Sequence, residues 1–284
     1  MGLLFVSPWI IGFTVFTLYP FVMSIYLSLT KYSVLAPAEF IGLDNYRTLF
    51  GDNLFWTSLY NTFYFCAFSV PLGAIIGVLL ALLLNQNVGG MAVYRTVYYL
   101  PSIVPIVASS IVWMWLFNPY YGVINALLEL VGIQGPGWIA DPAWSKPALI
   151  IMSLWGVGNA TLIYLASLQD VPVSLYESAE LDGASAWHKT IHITIPMITP
   201  TILFNVIMGL INSFQYFTQA YIMTNGGPAD STLFYSLYLY NNSFRYFKMG
   251  YASAQAWILF VIIMFFTLLL LRSSRSWVYY AGER

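Results

Sequence analysis

Six stretches of this chain contain no Asp, Glu, Lys or Arg: residues 1–30, 53–94, 96–128, 147–169, 190–229 and 249–271, the shortest of them 23 residues long. The next longest such gaps, 231–244 and 130–140, are 14 and 11 residues. A helix that crosses a bilayer needs about 20 mostly apolar residues at 1.5 Å each, so six stretches pass and the rest fail. Only 7% of the 284 residues are charged and 60% are hydrophobic, whereas an average soluble domain is roughly 25% charged. Too few charges remain to give a fold of this size a polar skin, which excludes a soluble enzyme and equally a disordered chain. A formal net charge of −1 provides no basic field for nucleic acid. The single cysteine, Cys66, forms neither an internal disulfide nor a multi-thiolate metal site.

The pattern predicts an all-α polytopic membrane protein, one domain over 1–284, with spans near 3–29, 58–84, 97–117, 147–168, 197–222 and 251–271. The gap at 53–94 is densely apolar only over about Leu59 to Leu84. Two spans with a turn need roughly 40 residues, so one helix kinked near Pro71 is expected. Helices are favoured over a barrel because the segments are long and solidly apolar, whereas barrel strands alternate and run about 10 residues. The first apolar run, about 25 residues, exceeds the 7–15 of a signal-peptide core. It begins without basic residues, and a short basic cytosolic tail upstream of this start site is expected.

An even number of spans puts both termini on one side, with Arg95, Lys189, Arg272, Arg275 and Arg284. Lys31, Arg47, Lys146, Arg245 and Lys248 fall on the other side. That is a tie under the positive-inside rule, although Arg272 and Arg275 directly after the last span favour a cytosolic C-terminus. The connections at about 30–57, 85–96, 118–146, 169–196 and 223–250 are modest. The 118–146 loop is rich in Gly and Pro, and it carries a short apolar helix near Val123–Leu130 suited to lying along the interface.

The connection from Gln169 to Pro200 holds four of the eleven acids, Asp170, Glu177, Glu180 and Asp182. Val173–Leu181 has a helical pattern in which Ser174 and Glu177 form a potential capping box. Gly183 is suited to ending or bending that helix, and Ala184–Ile193 to forming a second one before Pro196 and Pro200 open the fifth span. Two short helices about a glycine hinge make a stiff protrusion. Small residues at Ala179, Gly183 and Ala184 allow close approach, and Leu175, Tyr176, Leu181 and Trp187 offer apolar area. An amphipathic loop lying on the membrane is the plainer alternative on these grounds.

The run Glu177-Ser178-Ala179-Glu180-Leu181-Asp182-Gly183-Ala184, followed by Ile193 and Pro196, resembles the EAA loop of importer permeases of the ATP-binding-cassette class. Ser178 stands where the family has its first Ala, and Ile195 where it has Leu. The resemblance covers roughly 3–272: Leu100-Pro101 after Arg95, Asn118-Pro119 through Gly122 and Asn125, Thr224-Asn225-Gly226-Gly227-Pro228 with Ser231-Thr232, and Gly250-Tyr251-Ala252-Ser253-Ala254. These segments are similar to the carbohydrate branch, a maltose-type first permease reduced to six spans. The resemblance implies a bacterial or archaeal cytoplasmic membrane protein with cytosolic termini. It implies a homologous second permease, two cytosolic ATPase subunits that bind the ATP and Mg, and an extracytoplasmic solute-binding protein. It implies coupling roles for Glu177, Ala179, Asp182 and Gly183 at the ATPase, in a loop that must face the cytosol.

Polar groups inside a span are costly and face the bundle interior. Asn205, Asn212, Gln215, Tyr216 and Gln219 occur in the fifth span, with Asn205, Asn212 and Gln219 seven apart on one expected face. Trp155 and Asn159 are four apart in the fourth span, with Tyr164 following. Amides supply hydrogen bonds for sugar hydroxyls and aromatic rings cover C–H patches, so these eight residues are the candidate substrate contacts, suited to a neutral sugar more than to an ion. Interhelical hydrogen bonding is the competing role for the amides.

No GxxxxGK[ST] occurs, so nucleotide binding through a P-loop is not expected of this chain. His188 and His192 are four apart but lack a following Glu and a third ligand, so no metal or catalytic residue is assigned. No span has a central ionisable residue such as an ion-coupled secondary carrier would use, and no paired carboxylate or nucleophile–base pair supports a membrane enzyme. A glycerol phosphate or other polar-solute permease of the same family is the alternative on substrate.

Overall fold

A computed structural model describes the backbone of residues 2–280 and the side chains of 5–280. Among the described residues, three helices are long and apolar enough to cross a membrane unbroken: Phe5–Ser28, Asn53–Leu84 and Met249–Ser274. Three more spans are bent pairs: Met91–Ile103 with Ile106–Leu116 at 96°, Pro142–Trp155 with Gly158–Gln169 at 45°, and Ala186–Met197 with Thr199–Met223 at 62°. The six-span all-α architecture is therefore present, with the third, fourth and fifth spans broken.

Each break except one has a local cause. Pro105 has no N–H to donate and forces Val104 out of the helical region, to φ −64° and ψ 128°. Gly156-Val157 interrupts the fourth span. Ile198 ends one helix just before Pro200 opens the next. In contrast, the fifth span is interrupted again over 215–217, where no Gly or Pro stands. Pro71 leaves the second span continuous for 32 residues.

The second span is the hub. Phe65 on it meets Tyr216 at 4.2 Å and Phe234 at 5.5 Å, and Phe63 meets Phe214 at 5.2 Å. Small residues let backbones close up, as the absence of a hydrophobic drive within lipid requires. A Cβ on Gly77 would lie 3.0 Å from the Tyr164 ring, and one on Gly158 would lie 2.3 Å from Ser102 Oγ. Arg95 donates from Nε and Nη2 to the Leu84 carbonyl at 3.2 and 2.9 Å, satisfying an orphan acceptor at the end of the second span. The first span lies on the sixth, where Trp257 Nε1 donates to Ser24 Oγ at 3.1 Å.

At the end of the bundle away from the C-terminus, an antiparallel hairpin joins Thr30–Ser33 to Ala36–Phe40, with Lys31 opposite Glu39. It was not foreseen from the sequence. Alternation over four or five residues is too short to stand out beside 23-residue apolar runs. The Thr224–Thr232 loop is pinned nearby: Asn61 Nδ2 donates to Asp230 O at 2.8 Å, Ser145 and Ser231 hydroxyls share a bond of 2.8 Å, and Thr232 Oγ1 donates to Gly227 O at 2.7 Å. The glycine–proline run is thus a docked corner of the scaffold. The Val123–Leu130 helix also forms, turning Ile124 and Leu128 to the core and leaving Leu127 and Leu130 exposed.

Candidate functional site: a central cavity and a two-helix elbow

The breaks in the third, fourth and fifth spans converge on one cavity of about 610 Å³, walled also by the middle of the second span. Irregular backbone at membrane depth persists only where it is buried in protein or lines a wet cavity. Val104 and Ile106 come from the first break, Gly156 and Val157 from the next, and Gln215, Phe217 and Thr218 from the last. The helices starting at Ile106 and Gly158 have no side-chain cap, so their first N–H groups are free to meet a ligand or water. Not one lining residue is charged.

All eight residues singled out as substrate contacts line this cavity: Trp155, Asn159, Tyr164, Asn205, Asn212, Gln215, Tyr216 and Gln219. They are not equivalent there. The Tyr164 and Tyr216 hydroxyls are sealed from solvent and have no hydrogen-bond partner among the described residues, and Tyr216 packs its ring between Phe65 and Phe234. Asn205 donates back to the Thr201 carbonyl at 3.0 Å, which occupies part of its amide. The single helical face expected for Asn205, Asn212 and Gln219 is corrected by the interruption at 215–217, since Gln219 reaches the cavity from a separate helix, Thr218–Met223. Sequence analysis missed Ser69, Ser102, Ser109 and Ser213, which add hydroxyls to the wall. Pro101 and Pro105 flanking Ser102 were the available signal.

At the other end, toward the C-terminus, Val173–Leu181 runs into a sharp elbow. Ala184 N donates to Ala179 O at 2.9 Å and Gly183 N to Glu180 O at 3.0 Å. This pair of bonds is the Schellman closure, which requires the left-handed φ of +78° at Gly183. The capping box assigned to Ser174 and Glu177 is corrected: Pro172 occupies the N-cap position, Ser174 lies inside the first turn, and no side chain caps the helix. The second helix starts at Ala186, not Ala184, because Ser185 caps it by accepting from His188 N at 3.3 Å. It continues through a wide turn at Thr190–Thr194 to Met197.

Glu177, Asp182 and Gly183 lie exposed on this elbow and Ala179 is half-buried. Leu181 and Trp187 are 90% and 72% exposed. Tyr176 belongs elsewhere. Its ring packs on the cluster of Leu165, Leu168 and Ile198, and its hydroxyl bonds Thr194 Oγ1 at 2.9 Å. It is a strut from the elbow to the fifth span. Lys189 and Glu180 pair across the elbow at 2.5 Å, and that ammonium holds the Glu180 carboxyl below its usual range. His188 and His192 stack, with Nδ1 of His192 3.1 Å from the His188 carbonyl.

Residues 69–280 match the family of binding-protein-dependent transport system inner membrane components. A probable ABC transporter permease protein, YesP of Bacillus subtilis (strain 168), is 45% identical over 99% of this chain and 93% of its own length. The lactose transport system permease protein LacF of Rhizobium radiobacter is 36% identical over 97% of this chain and 94% of its own. Among solved structures, a bacterial alginate ABC transporter in complex with an alginate pentasaccharide-bound periplasmic protein has a chain that superposes with a TM-score of 0.85. That chain is 26% identical, and the match covers 96% of this chain and 93% of it.

Proposed function

This chain belongs to the binding-protein-dependent transport system inner membrane components, and from that premise we propose how it carries a sugar. It is a permease subunit of an importer of the ATP-binding-cassette class, and its relatives include permeases for lactose and for trehalose and maltose. The sugar or oligosaccharide passes through the central cavity. The observation that carries this reading is the convergence of the third-span break, the fourth-span break and the fifth-span interruption at 215–217 on one uncharged cavity. A broken span leaves free N–H groups and free carbonyls side by side, and a sugar hydroxyl both donates and accepts. Asn159, Asn212 and Gln215 add amides, and Trp155 an aromatic face.

The elbow docks on a cytosolic ATPase subunit. Exposed Leu181 and Trp187 provide the apolar contact, Glu177 and Asp182 meet basic groups there, and Gly183 with Ala179 keeps the elbow tight. In this orientation both termini are cytosolic and the hairpin end is external. Closure of two ATPases, which bind the ATP and Mg, pushes the elbow. Tyr176 passes the displacement to the segment ending at Met197, and the 62° bend leads it into Thr199–Met223, which carries four amides of the cavity wall. Thr199 pins that bend: its hydroxyl donates to Pro196 O at 2.6 Å and accepts from Tyr279 N at 2.9 Å. A second permease completes the pathway, and a solute-binding protein delivers the sugar from outside.

The test is ATPase activity in nanodiscs, with the chain co-expressed with the permease, ATPase and binding protein encoded beside it. Sugar-loaded binding protein is expected to stimulate hydrolysis, and Glu177→Ala is expected to remove the stimulation from an intact complex. Failure to co-purify with any ATPase would sink the proposal.

A further inference from the structure

The hairpin end holds a second pocket, of about 770 Å³, that shares no lining residue with the central cavity. Its walls come from the hairpin, the helix Asp44–Phe50, the start of the second span, the Tyr235–Tyr240 helix and the start of the sixth span. Two buried amides form part of it. Asn45 spends its Nδ2 on the Ser28 and Thr30 carbonyls at 2.8 Å each. Asn242 spends its Nδ2 on Tyr238 O at 3.1 Å and Gln255 Oε1 at 3.2 Å. The donors fix both amides in place, and no protein donor reaches either Oδ1 among the described residues. Each oxygen is therefore a rigid, open acceptor in the pocket wall.

The rim supplies the complement. Lys31 and Lys248 line the pocket, both exposed, and neither has a carboxylate within ion-pair distance among the described residues. Beside them stand the exposed rings of Tyr246 and Phe247. Phe247 has a left-handed backbone, φ +52°. A bulky aromatic residue rarely adopts that conformation, and such strain concentrates at binding sites. Fixed acceptors, mobile donors and exposed rings in one half-open pocket match a ligand with hydroxyls around its edge and C–H groups on its face.

We propose that this pocket is a second saccharide-binding site, separate from the transport cavity, where Asn45 and Asn242 accept from sugar hydroxyls, Lys31 and Lys248 donate to them, and Tyr246 and Phe247 cover the ring. Only its placement on the external face rests on the orientation proposed above. The site holds a sugar close to where a solute-binding protein releases one, without that sugar occupying the pathway.

Lysine footprinting tests this on the assembled complex in nanodiscs. Acetylation of Lys31, Lys248 and, as control, Lys189 is followed by mass spectrometry during titration with lactose, maltose or an alginate oligosaccharide, without binding protein. The expected result is a loss of reactivity at Lys31 and Lys248 that saturates with one of the sugars, while Lys189 is unaffected. Tyr246→Ala should remove the protection and leave sugar-stimulated ATPase activity in place, whereas Asn212→Ala should leave the protection in place. No protection by any of the three sugars overturns the proposal. So does protection that requires the binding protein, which would make the pocket a protein contact, and so does protection that disappears with Asn212→Ala, which would make it an echo of the central cavity. ATPase stimulation reports on the transport reading independently of the footprint.

Discussion

Tyr251, near the start of the sixth span, donates its hydroxyl to Asp52 Oδ2 at 2.7 Å, and Tyr238 donates to the same oxygen. The other carboxylate oxygen caps the second span by accepting from Leu54 N at 2.9 Å. One side chain therefore ties the second span, the sixth span and the helix between the fifth and sixth. Burial pulls the Asp52 pKa upward, but the two tyrosine hydroxyls and the N–H groups of Leu54 and Phe55 outweigh it, leaving it below its usual 3.8. Burial, with the carboxylate beside it, pushes the Tyr238 hydroxyl up to about 12. A depressed carboxylate stabilises the fold above its unfolded pKa and loses that contribution as pH falls through the folded value. Melting temperatures of wild type and Asp52→Ala in detergent should therefore differ at pH 7 and converge below the usual carboxylate range. Loss of the cap alone costs about 1 kcal/mol, and a difference that persists unchanged into acid would contradict this account.

Gly250 touches the hairpin so closely that a Cβ would lie 2.0 Å from Thr30 O and 3.1 Å from Leu27 O. Backbone cannot swing aside as a flexible side chain can. Gly250→Ala should destabilise the chain by about 1–3 kcal/mol, read as a lower melting temperature of the purified complex. Gly12, with open space around its Cβ position, is the matched control, and equal effects at the two sites would remove the steric explanation.

In the central cavity, removing one amide should weaken sugar handling without disturbing assembly. A single hydrogen bond contributes about 0.5–1.5 kcal/mol, roughly a 2- to 10-fold rise in the half-saturating sugar concentration for uptake. Asn212→Ala and Asn159→Ala in proteoliposomes are expected in that range. Wild-type uptake curves from both variants would take these amides out of the pathway.

The strut and the elbow should show up as coupling defects. Tyr176→Phe removes the bond to Thr194, worth about 1 kcal/mol, and Gly183→Ala puts a Cβ on a left-handed residue at a cost of about 1–2 kcal/mol. Both should lower the ratio of stimulated to basal ATPase activity. Glu180→Gln breaks only an exposed pair across the elbow, and such pairs contribute little, so its melting curve should overlay that of wild type. A stimulation ratio untouched by Tyr176→Phe would locate transmission elsewhere.

The candidate site was legible to an unequal degree. Amides at Asn159, Asn205 and Asn212 stand out because solvation penalises them in lipid, so their inward placement follows from type alone. The run from Glu177 to Gly183 announced a helix ended by a left-handed residue, and Gly183 has that conformation. Tyr176, read as part of the apolar area offered by the protrusion, packs against the bundle instead, and nothing in its local pattern tells that its hydroxyl finds Thr194, 18 residues on. Ser174 looked like a cap, but the helix starts one residue earlier, at Val173, with Pro172 at the N-cap position.

Charge-free length and apolar content alone determined that the chain crosses a membrane six times as helices, because water and lipid sort residues by solvation before any contact is made. Tertiary structure decided where those helices break. Pro105 and Gly156 permit a break, but the interruption at 215–217 has no local cause and is held by its surroundings, with Tyr216 packed between Phe65 of the second span and Phe234 beyond the fifth. The hairpin, the Asp52 junction and both cavities are likewise decided by groups far apart in sequence. Their free energies exist only once the spans have packed, so no run of neighbouring residues encodes them.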